Sequence, residues 1–415
     1  MQPELGISTL SLGSCNHHSL SVKLQAAARA GFTAIDLFDA DWAHFKRHHA
    51  TSNGLPLSTI DGDHTSVSAA RAINRMCASL HLRIMCLQPF REFEARKDPK
   101  EAAERMLHAR GTLSILPILG TSMLLIPSTT LPASQVDPSP HRMAADLAQL
   151  AGYAASYSPP IRICYEALSW GTNVSTYRAA WEVVRLANRP NLGLCLDSFN
   201  TAAREWADPY SPSGIRDSTA NDTLRRSLND LIATVPCSKI FYFQLADGQR
   251  MSPPLTLPED PTVPPLRPWS RSYRLFPLES ARGAYLPVKE FTEAVCKTGY
   301  QGPWCLEIFN DSLSETRASV PDEHAQRGME SLRKILAVVG MKGACPRTCR
   351  LPQAEPYSLE PKFKNSSSIK LRLQTMKTMH RFLLVFPLAS ILLLLFKTFT
   401  PLSVATPFSL LSSVY

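Results

Sequence analysis

The stretch RICYEALSWG, from Arg162 to Gly171, decides the fold because an apolar run ends there in a carboxylate. Arg162 to Tyr165 is typical of a short buried strand, since β-branched, aromatic and small apolar residues follow one another without helical spacing. Glu166 comes next. An ionised carboxylate in such a place needs a cation or hydrogen bonds, because removing its water is costly. Glu166 is therefore either part of a structural ion pair or part of a functional site.

The same pattern recurs three times downstream. Asp197 closes the run LGLCLD, Gln244 closes KIFYFQ and Glu307 closes PWCLE. The carboxyl ends of the strands of a parallel barrel open onto one face, so we expect these side chains and Glu166 to converge there. Carboxylate and amide oxygens suit Mg, Mn or a similar divalent ion such as Co. Three carboxylates brought together without a cation would repel one another, so the four residues predict a divalent metal site.

Eight apolar runs typical of strands alternate with eight helical patterns along the chain. The first strand is predicted from Leu5 to Gly13, and the last helix from His324 to Val339. Repeated βα units of this number predict an α/β fold, a (β/α)8 or TIM barrel, over residues 1–340. Residues 39–63 are rich in His, Ser, Gly and Asp, which is typical of a long loop on the active face. Asp36, within the second strand, is interpreted as a hydrogen-bonding group rather than as a functional acid.

Cationic residues follow two of the predicted strands. Arg91 stands just beyond the third strand, where a fixed cation suits recognition of an anionic substrate, and its alternative role is a salt bridge to Glu92 or Glu94. A Pro-rich stretch after the seventh strand leads into WSRSYRLFP, which is too long for a simple connector. Its aromatic, hydroxyl and guanidinium groups could grip a ring-bearing carboxylate, and solvated surface charge is the alternative. These groups belong to Trp269, Ser270, Arg271 and Arg274.

Composition restricts the class of protein. The hydrophobic share of 44% is that of an ordinary globular protein with a substantial core. Ten of the 44 Lys and Arg residues and two of the 35 Asp and Glu residues lie after residue 340, which leaves 34 and 33 before it. The predicted barrel is therefore nearly neutral, and this argues against a nucleic-acid groove. The ten cysteines are scattered and no secretory signal is recognised, so we expect reduced thiols and a cytoplasmic protein.

The chain after residue 340 differs in character. Residues 341–381 are basic and rich in Pro and Ser, which is typical of a disordered linker, and residues 382–415 form a hydrophobic tail. Within this tail, Phe382 to Phe396 contains 15 uncharged residues. A helix of that length would reach about 22 Å, which is short of the ~30 Å hydrocarbon core of a bilayer. A membrane anchor is therefore the less favoured interpretation, and an interfacial helix or a tail without a folded role is preferred.

Five stretches in this order resemble one enzyme family. YEALSWG, CLDSFN, FYFQLADG, WSRSYRLFP and CLEIF are similar to sequences of the 3-dehydroshikimate dehydratases, which are xylose isomerase-like barrels of quinate and shikimate catabolism. The resemblance covers about Leu5 to Leu336. It implies that Glu166, Asp197, Gln244 and Glu307 are divalent metal ligands. It also implies that Arg91, Ser270 and Arg274 contact the substrate.

The reaction that the resemblance implies is loss of water from 3-dehydroshikimate, which gives protocatechuate. Removal of a proton beside the ketone builds an enolate, which a metal ion stabilises as a Lewis acid, and a general acid assists departure of the hydroxyl. Arg91 or Arg274 would hold the substrate carboxylate. The chain departs from the family at Asn200, where many relatives have a His three residues after the metal-binding Asp. An amide cannot act as a general base, so the base stays unassigned.

Two further interpretations stay open at this point. A sugar isomerase or epimerase could use the same barrel and metal, although it would need a second carboxylate for acid–base chemistry. A non-catalytic relative retained for binding is the other alternative, and Asn200 is its main support. The oligomeric state is not predicted.

Overall fold

Eight parallel strands close into a barrel in the computed structural model, which describes residues 3–58 and 60–340. The strands are β1 (Leu5–Ser8), β2 (Ala34–Phe38), β3 (Arg83–Gln88), β4 (Met123–Pro127), β5 (Arg162–Glu166), β6 (Leu192–Asp197), β7 (Ile240–Leu245) and β10 (Trp304–Leu306). They neighbour one another in chain order, and β10 pairs with both β7 and β1 to close the barrel. Two short strands, β8 (Asp247–Gly248) and β9 (Arg274–Leu275), form a separate antiparallel pair.

Helices surround the barrel. They are α1 (Leu20–Ala30), α2 (Asp39–Ser52), α3 (His64–Ser79), α4 (Pro99–Leu119), α5 (Pro140–Ala154), α6 (Tyr177–Ala187), α7 (Ser198–Glu205), α8 (Ala220–Thr234), α9 (Leu266–Ser272), α10 (Val288–Lys297) and α11 (Val320–Val338). The last of them, α11, packs against α1 and completes the outer layer. The predicted (β/α)8 barrel is confirmed.

The pleat of each strand divides its side chains between two cores. In β5, Ile163 and Tyr165 pack outward in the large core shared with the helices, whereas Cys164 faces a smaller cluster inside the barrel. Side chains two residues apart lie on the same face of a strand, so Glu166 also points inward. Short residues such as Cys and Ala suit this interior because eight strands leave room only for a packed layer of side chains. The pleat thus aims the last residue of β5 into the mouth of the barrel.

Residues 39–63 were expected to form a loop, and this expectation is wrong for its first half. Residues 39–52 form α2. Its buried face is made by Trp42, Lys46 and Ala50, which recur every four residues. Lys46 pairs with Asp61 at 2.7 Å, so a charged residue occupies a position where an apolar one would have shown the helical pattern. The periodicity was therefore hidden by a buried ion pair.

The first strand is also shorter than predicted. It ends at Ser8, and Thr9–Leu12 form a single turn of 3-10 helix before Gly13. Within the described ranges no helix is long and apolar enough to cross a bilayer. The predicted linker at 341–381 and the hydrophobic tail at 382–415 lie outside the described residues, so both stay predictions.

Candidate active site

Three carboxylates meet at the carboxyl ends of the barrel strands. Glu166 ends β5, Asp197 ends β6, and Glu307 follows β10 directly. One oxygen atom from each side chain lies within 4.8 Å of the corresponding atoms of the other two, and all three residues are buried. The predicted convergence of these three residues is thus present, and we refer to them as the carboxylate cluster.

Gln244 lies beside the cluster, since it pairs in register with Asp197 between β7 and β6. Its side chain is fully buried, and its Oε1 accepts a hydrogen bond from the Cys195 thiol at 3.2 Å. Its Nε2 has no hydrogen-bond partner in the described part of the chain. Exchange of the two amide atoms would let Nε2 donate to the Cys195 sulfur and free the oxygen to act as a ligand. A neutral oxygen donor completes a set that suits a hard divalent cation.

Arg274 is the cation nearest to the carboxylate cluster. Its Nη1 atom lies 2.9 Å from Asp197 Oδ2 and 3.4 Å from Glu307 Oε2. Its Nε donates to the hydroxyl of Ser270 at 3.1 Å, and both residues are fully buried. Two of the predicted substrate contacts, Ser270 and Arg274, are therefore found next to the predicted metal ligands.

Arg91 lies farther out, at the rim of the barrel. Its guanidinium forms an ion pair with Asp39 at the start of α2 and lies over the ring of Phe38, 5.4 Å from the ring centroid. The alternative partners considered from the sequence bind elsewhere. Glu92 accepts hydrogen bonds from Thr130, and Glu94 accepts one from the backbone of Thr129. Both glutamates thus fix the loop after β3 to the loop after β4.

Asn200 connects two members of the carboxylate cluster. Its side-chain Nδ2 donates to Glu166 Oε1 at 2.9 Å, and its backbone N–H donates to Asp197 Oδ1 at 2.7 Å. Its own Oδ1 accepts from the backbone N–H of Ser169 at 3.0 Å, which fixes the orientation of the amide. The residue is buried in the first turn of α7. The arrangement lets Asn200 hold Glu166 in place, and its amide offers no basic atom.

Asp36 and Gln88 extend the site, although sequence reasoning missed Gln88 and discounted Asp36. Gln88 Nε2 donates to Asp36 Oδ2 at 2.9 Å and to Glu307 Oε1 at 2.7 Å. Asp36 Oδ2 also accepts from the hydroxyl of Tyr242 at 3.1 Å. One pattern could have found Gln88. In four strands a buried Cys precedes an oxygen-bearing side chain by two residues; the pairs are Cys86 and Gln88, Cys164 and Glu166, Cys195 and Asp197, and Cys305 and Glu307.

The electrostatics of the cluster favour a bound cation. Burial raises the pKa of Glu307 to about 7, and the neighbouring Asp197 adds to the rise while Arg274 opposes it. Burial also raises the pKa of Glu166 well above its usual range, with further contributions from the charges of Asp197 and Glu307. One guanidinium faces three carboxylates, so a divalent ion would relieve the remaining repulsion. The buried donor set of three carboxylates and one amide therefore fits a hard divalent metal.

Comparison with known proteins identifies what the chain is similar to. The family described as "Xylose isomerase-like TIM barrel" matches residues 24–335. The chain is 40% identical over 342 residues to the 3-dehydroshikimate dehydratase of Neurospora crassa, and the match covers 81% of this chain and 94% of that relative. It is 34% identical over 327 residues to the 3-dehydroshikimate dehydratase of Pseudomonas aeruginosa. This second match covers 79% of the chain but only 40% of the bacterial protein.

Solved structures agree on the fold. A xylose isomerase-like TIM barrel/4-hydroxyphenylpyruvate dioxygenase fusion protein aligns with a TM-score of 0.60 at 28% identity. That alignment covers 82% of this chain and 44% of the fusion protein. The IOLI protein, solved with a bound zinc atom, aligns with a TM-score of 0.58 at 16% identity over 82% of this chain and 100% of its own. The second likeness shows the barrel fold alone.

Proposed function

Since the chain belongs to the family of 3-dehydroshikimate dehydratases, we propose that it removes water from 3-dehydroshikimate and releases protocatechuate. Its substrate is a small molecule. The observation that carries the proposal is the buried carboxylate cluster with Arg274 at the mouth of a barrel of this family. A role in the catabolism of quinate and shikimate follows from this substrate and product, and is part of the proposal.

We assign the metal site to Glu166, Asp197, Gln244 and Glu307. Their oxygen atoms suit Mg, Mn or Co, and the carboxylates carry the negative charge that a divalent ion would neutralise. A divalent ion bound there supplies positive charge near the substrate ketone, where negative charge develops as the neighbouring proton leaves. The unusual buried clustering of three carboxylates supports this assignment.

The remaining site residues bind and orient the substrate. Ser270 and Arg274 lie next to the carboxylate cluster, and we assign them to contacts with the reacting end of the ring. Arg91 stands at the rim, where its positive charge attracts an anionic substrate. Asn200 positions Glu166 and is not assigned as the base, because its amide cannot accept the proton. The burial of Ser270, Arg274 and Asn200 limits water near the reacting ring.

The reaction balances without an oxidant or reductant. A proton leaves the carbon beside the ketone, and the hydroxyl on the next carbon leaves with a second proton as water. The ring then rearranges to an aromatic diol, and the gain of aromaticity drives the reaction forward. A positioned donor near the leaving hydroxyl assists this step.

The free thiols support the proposed cytoplasmic location. All eight cysteines within the described residues are unpaired, as expected of a protein from a reducing compartment. The near neutrality of residues 1–340 supports the absence of nucleic-acid binding.

The direct test is an ultraviolet assay with 3-dehydroshikimate and each of Mg, Mn and Co. We expect the aromatic product to absorb as it forms, and we expect Glu307→Gln to lower kcat by about 100-fold or more, because a charge at the reacting centre is lost. The exposed Glu315 lies eight residues further on, and Glu315→Gln is the matched control. A wild-type protein that is inert with all three ions would contradict the proposal and favour a non-catalytic relative. Turnover of a ketose instead would favour an isomerase.

A further inference from the structure

Three guanidinium groups come together at the mouth of the barrel, and two of them have carboxylate partners. Arg274 pairs with Asp197 and Glu307, and Arg91 pairs with Asp39. The third belongs to Arg271 on α9. Among the described residues Arg271 forms no ion pair, and its buried Nε has no hydrogen-bond partner.

Aromatic rings from two loops of the active face flank Arg271. Its Cζ atom lies 4.3 Å from the centroid of the Phe309 ring and 5.5 Å from that of the Trp170 ring. Trp170 follows β5 by four residues and Phe309 follows β10 by three, so both rings belong to the end of the barrel that holds the carboxylate cluster. Arg274 also lies over Phe309, with its Cζ atom 5.1 Å from the same centroid. The ring of Phe309 therefore lies against both Arg271 and Arg274, and Arg274 is the residue that pairs with the carboxylate cluster.

Among the described residues no carboxylate is in ion-pair contact with Arg271, and the negative charges of Asp39 and Glu307 act on it from farther away. The pKa of its guanidinium is lowered to about 9, chiefly by burial and also by the positive charges of Arg91 and Arg274, while the charge of Glu307 opposes the shift. Placing a cation between two rings and beside two other cations costs free energy unless an anion joins it. A side chain held in this way is prepared for an anionic ligand.

We propose that Arg271 binds the carboxylate of the substrate, with the rings of Phe309 and Trp170 fixing the plane of its guanidinium. A guanidinium offers two parallel N–H donors that match the two oxygens of a carboxylate. Arg91 and Arg274, to which the family resemblance assigned the substrate carboxylate, already have carboxylates of the protein as partners. The inference rests on the proposed function for the identity of the substrate.

The assignment also explains discrimination against neutral sugars. A ketose that fits the same barrel would leave Arg271 without an anion, and an unpaired buried charge penalises the complex. The carboxylate at one end of the ring and the ketone at the other would thus be recognised by separate groups of the protein. The substrate class is a cyclic carboxylate and not a neutral sugar.

The test compares two ligands that differ in one charge, 3,4-dihydroxybenzoate and 3,4-dihydroxybenzamide. Both carry the same catechol ring, so calorimetry with the metal-loaded protein isolates the contribution of the carboxylate. We expect the wild type to prefer the acid by about 10- to 100-fold, as for a charge-assisted hydrogen-bonded pair, and we expect Arg271→Gln to lose that preference. The KM for 3-dehydroshikimate should rise by a similar factor, with a smaller change in kcat.

Two further variants complete the experiment. Arg271→Lys keeps the charge and should retain part of the preference for the acid, which separates recognition from misfolding. Arg282→Gln is the matched control, because Arg282 lies in the same stretch between β8 and α10 but is exposed. An unchanged preference for the acid in a folded Arg271→Gln protein would overturn the inference. A wild type without dehydratase activity would instead refute the proposed function, and the comparison of acid with amide would still decide the role of Arg271.

Discussion

Asn200 donates hydrogen bonds to two carboxylates of the site, so this one residue fixes the positions of both. Its Nδ2 holds Glu166, and its backbone N–H holds Asp197. Residues that orient a metal ligand commonly contribute about 10- to 100-fold to metal affinity. Asn200 therefore has a structural task at this site, even though an amide cannot transfer the proton.

Replacement of Asn200 by Leu tests this role. Leu has a similar volume but no donor, so Glu166 would lose its hydrogen bond, and we expect Mn²⁺ to bind about 10- to 100-fold more weakly. Calorimetric titration of the metal-free protein gives the affinity. Asn53→Leu, at the exposed end of α2, is the control. Equal Mn²⁺ affinity in wild type and Asn200→Leu would show that the bond to Glu166 does not matter for the metal.

At this scale the sequence predicted the three carboxylates that end apolar runs but not Gln88 and Asp36, which support Glu307. Glu166, Asp197 and Glu307 were visible because each closes an apolar run. Asp36 stands within its strand, and its importance comes from Gln88, which bridges it to Glu307 across β3, β2 and β10. The bridge joins strands that are distant in the chain, so the spacing of Cys86 and Gln88 can mark Gln88 but does not report which residues it contacts.

A single buried carboxylate organises the long stretch between β8 and α10. Asp247 Oδ1 accepts hydrogen bonds from the backbone N–H groups of Gly248, Tyr285 and Leu286, and its Oδ2 accepts one from Leu278. Burial raises its pKa to about 6. The stretch held by these hydrogen bonds carries Ser270, Arg271 and Arg274, so Asp247 helps to position the residues that we propose as substrate contacts.

We expect Asp247→Asn to loosen this stretch. The new amide group would place a donor against the N–H of Leu278, where Asp247 offers an acceptor, and one unsatisfied buried pair costs about 1–3 kcal/mol. The variant should therefore be cut faster by a protease within residues 249–287, with kcat/KM about 10-fold lower. Mass spectrometry of the fragments locates the cut. Asp260→Asn in the same stretch is the control, because Asp260 is exposed and its side chain accepts hydrogen bonds from the nearby Thr262. Equal cleavage of both variants would contradict the anchoring role.

The elements differ in how well the sequence predicts them. The bounds of α4 follow from local signals in the sequence, since Asp98 caps its start, Pro99 suits its first turn and Gly120 ends it in a left-handed conformation. The helix α2 was missed because its buried face contains Lys46, whose charge is neutralised by Asp61 only after folding. A hydrophobic pattern identifies a helix when its buried face is apolar, and it fails when that face is held by an ion pair.

At the scale of the whole molecule, the barrel was predictable because eight repeats each show the same alternation of strand and helix. Closure between β1 and β10, in contrast, joins residues about 300 positions apart, and it follows from the number of repeats and not from any local sequence. The long-range packing also buries Glu94, whose Oε1 accepts hydrogen bonds from the backbone of Thr129 at 2.7 Å and the hydroxyl of Tyr165 at 3.0 Å.

Glu94 should make the stability of the whole barrel depend on pH. Burial raises its pKa to about 7, above its usual value of 4.5, so the folded protein binds this proton more tightly than the unfolded chain. The stabilising contribution is complete below pH 4.5 and is lost as the pH rises through 7. Glu94→Gln cannot titrate, so we expect the wild-type free energy of unfolding to fall relative to the variant by about 3 kcal/mol between pH 4.5 and 8.

Urea denaturation at several pH values measures this difference. The exposed Glu104 provides the control, since Glu104→Gln should leave the pH dependence like that of the wild type. If the free energy of unfolding changed with pH in the same way for wild type and Glu94→Gln, the carboxyl of Glu94 would have the same proton affinity in the folded and unfolded states.

The burial of four cysteines inside the barrel affects how fast peroxide and other electrophiles can modify their thiols. Cys86, Cys164, Cys195 and Cys305 are buried beneath the acidic groups, and burial raises the pKa of each thiol, so little reactive thiolate forms. We therefore expect oxidants in solution to react slowly with these sulfur atoms while the barrel is folded. The rate at which these cysteines are oxidised should therefore depend on how often the barrel unfolds. Because a bound ligand stabilises the folded state, we expect oxidation to be slower in the ligand-bound protein than in the free protein.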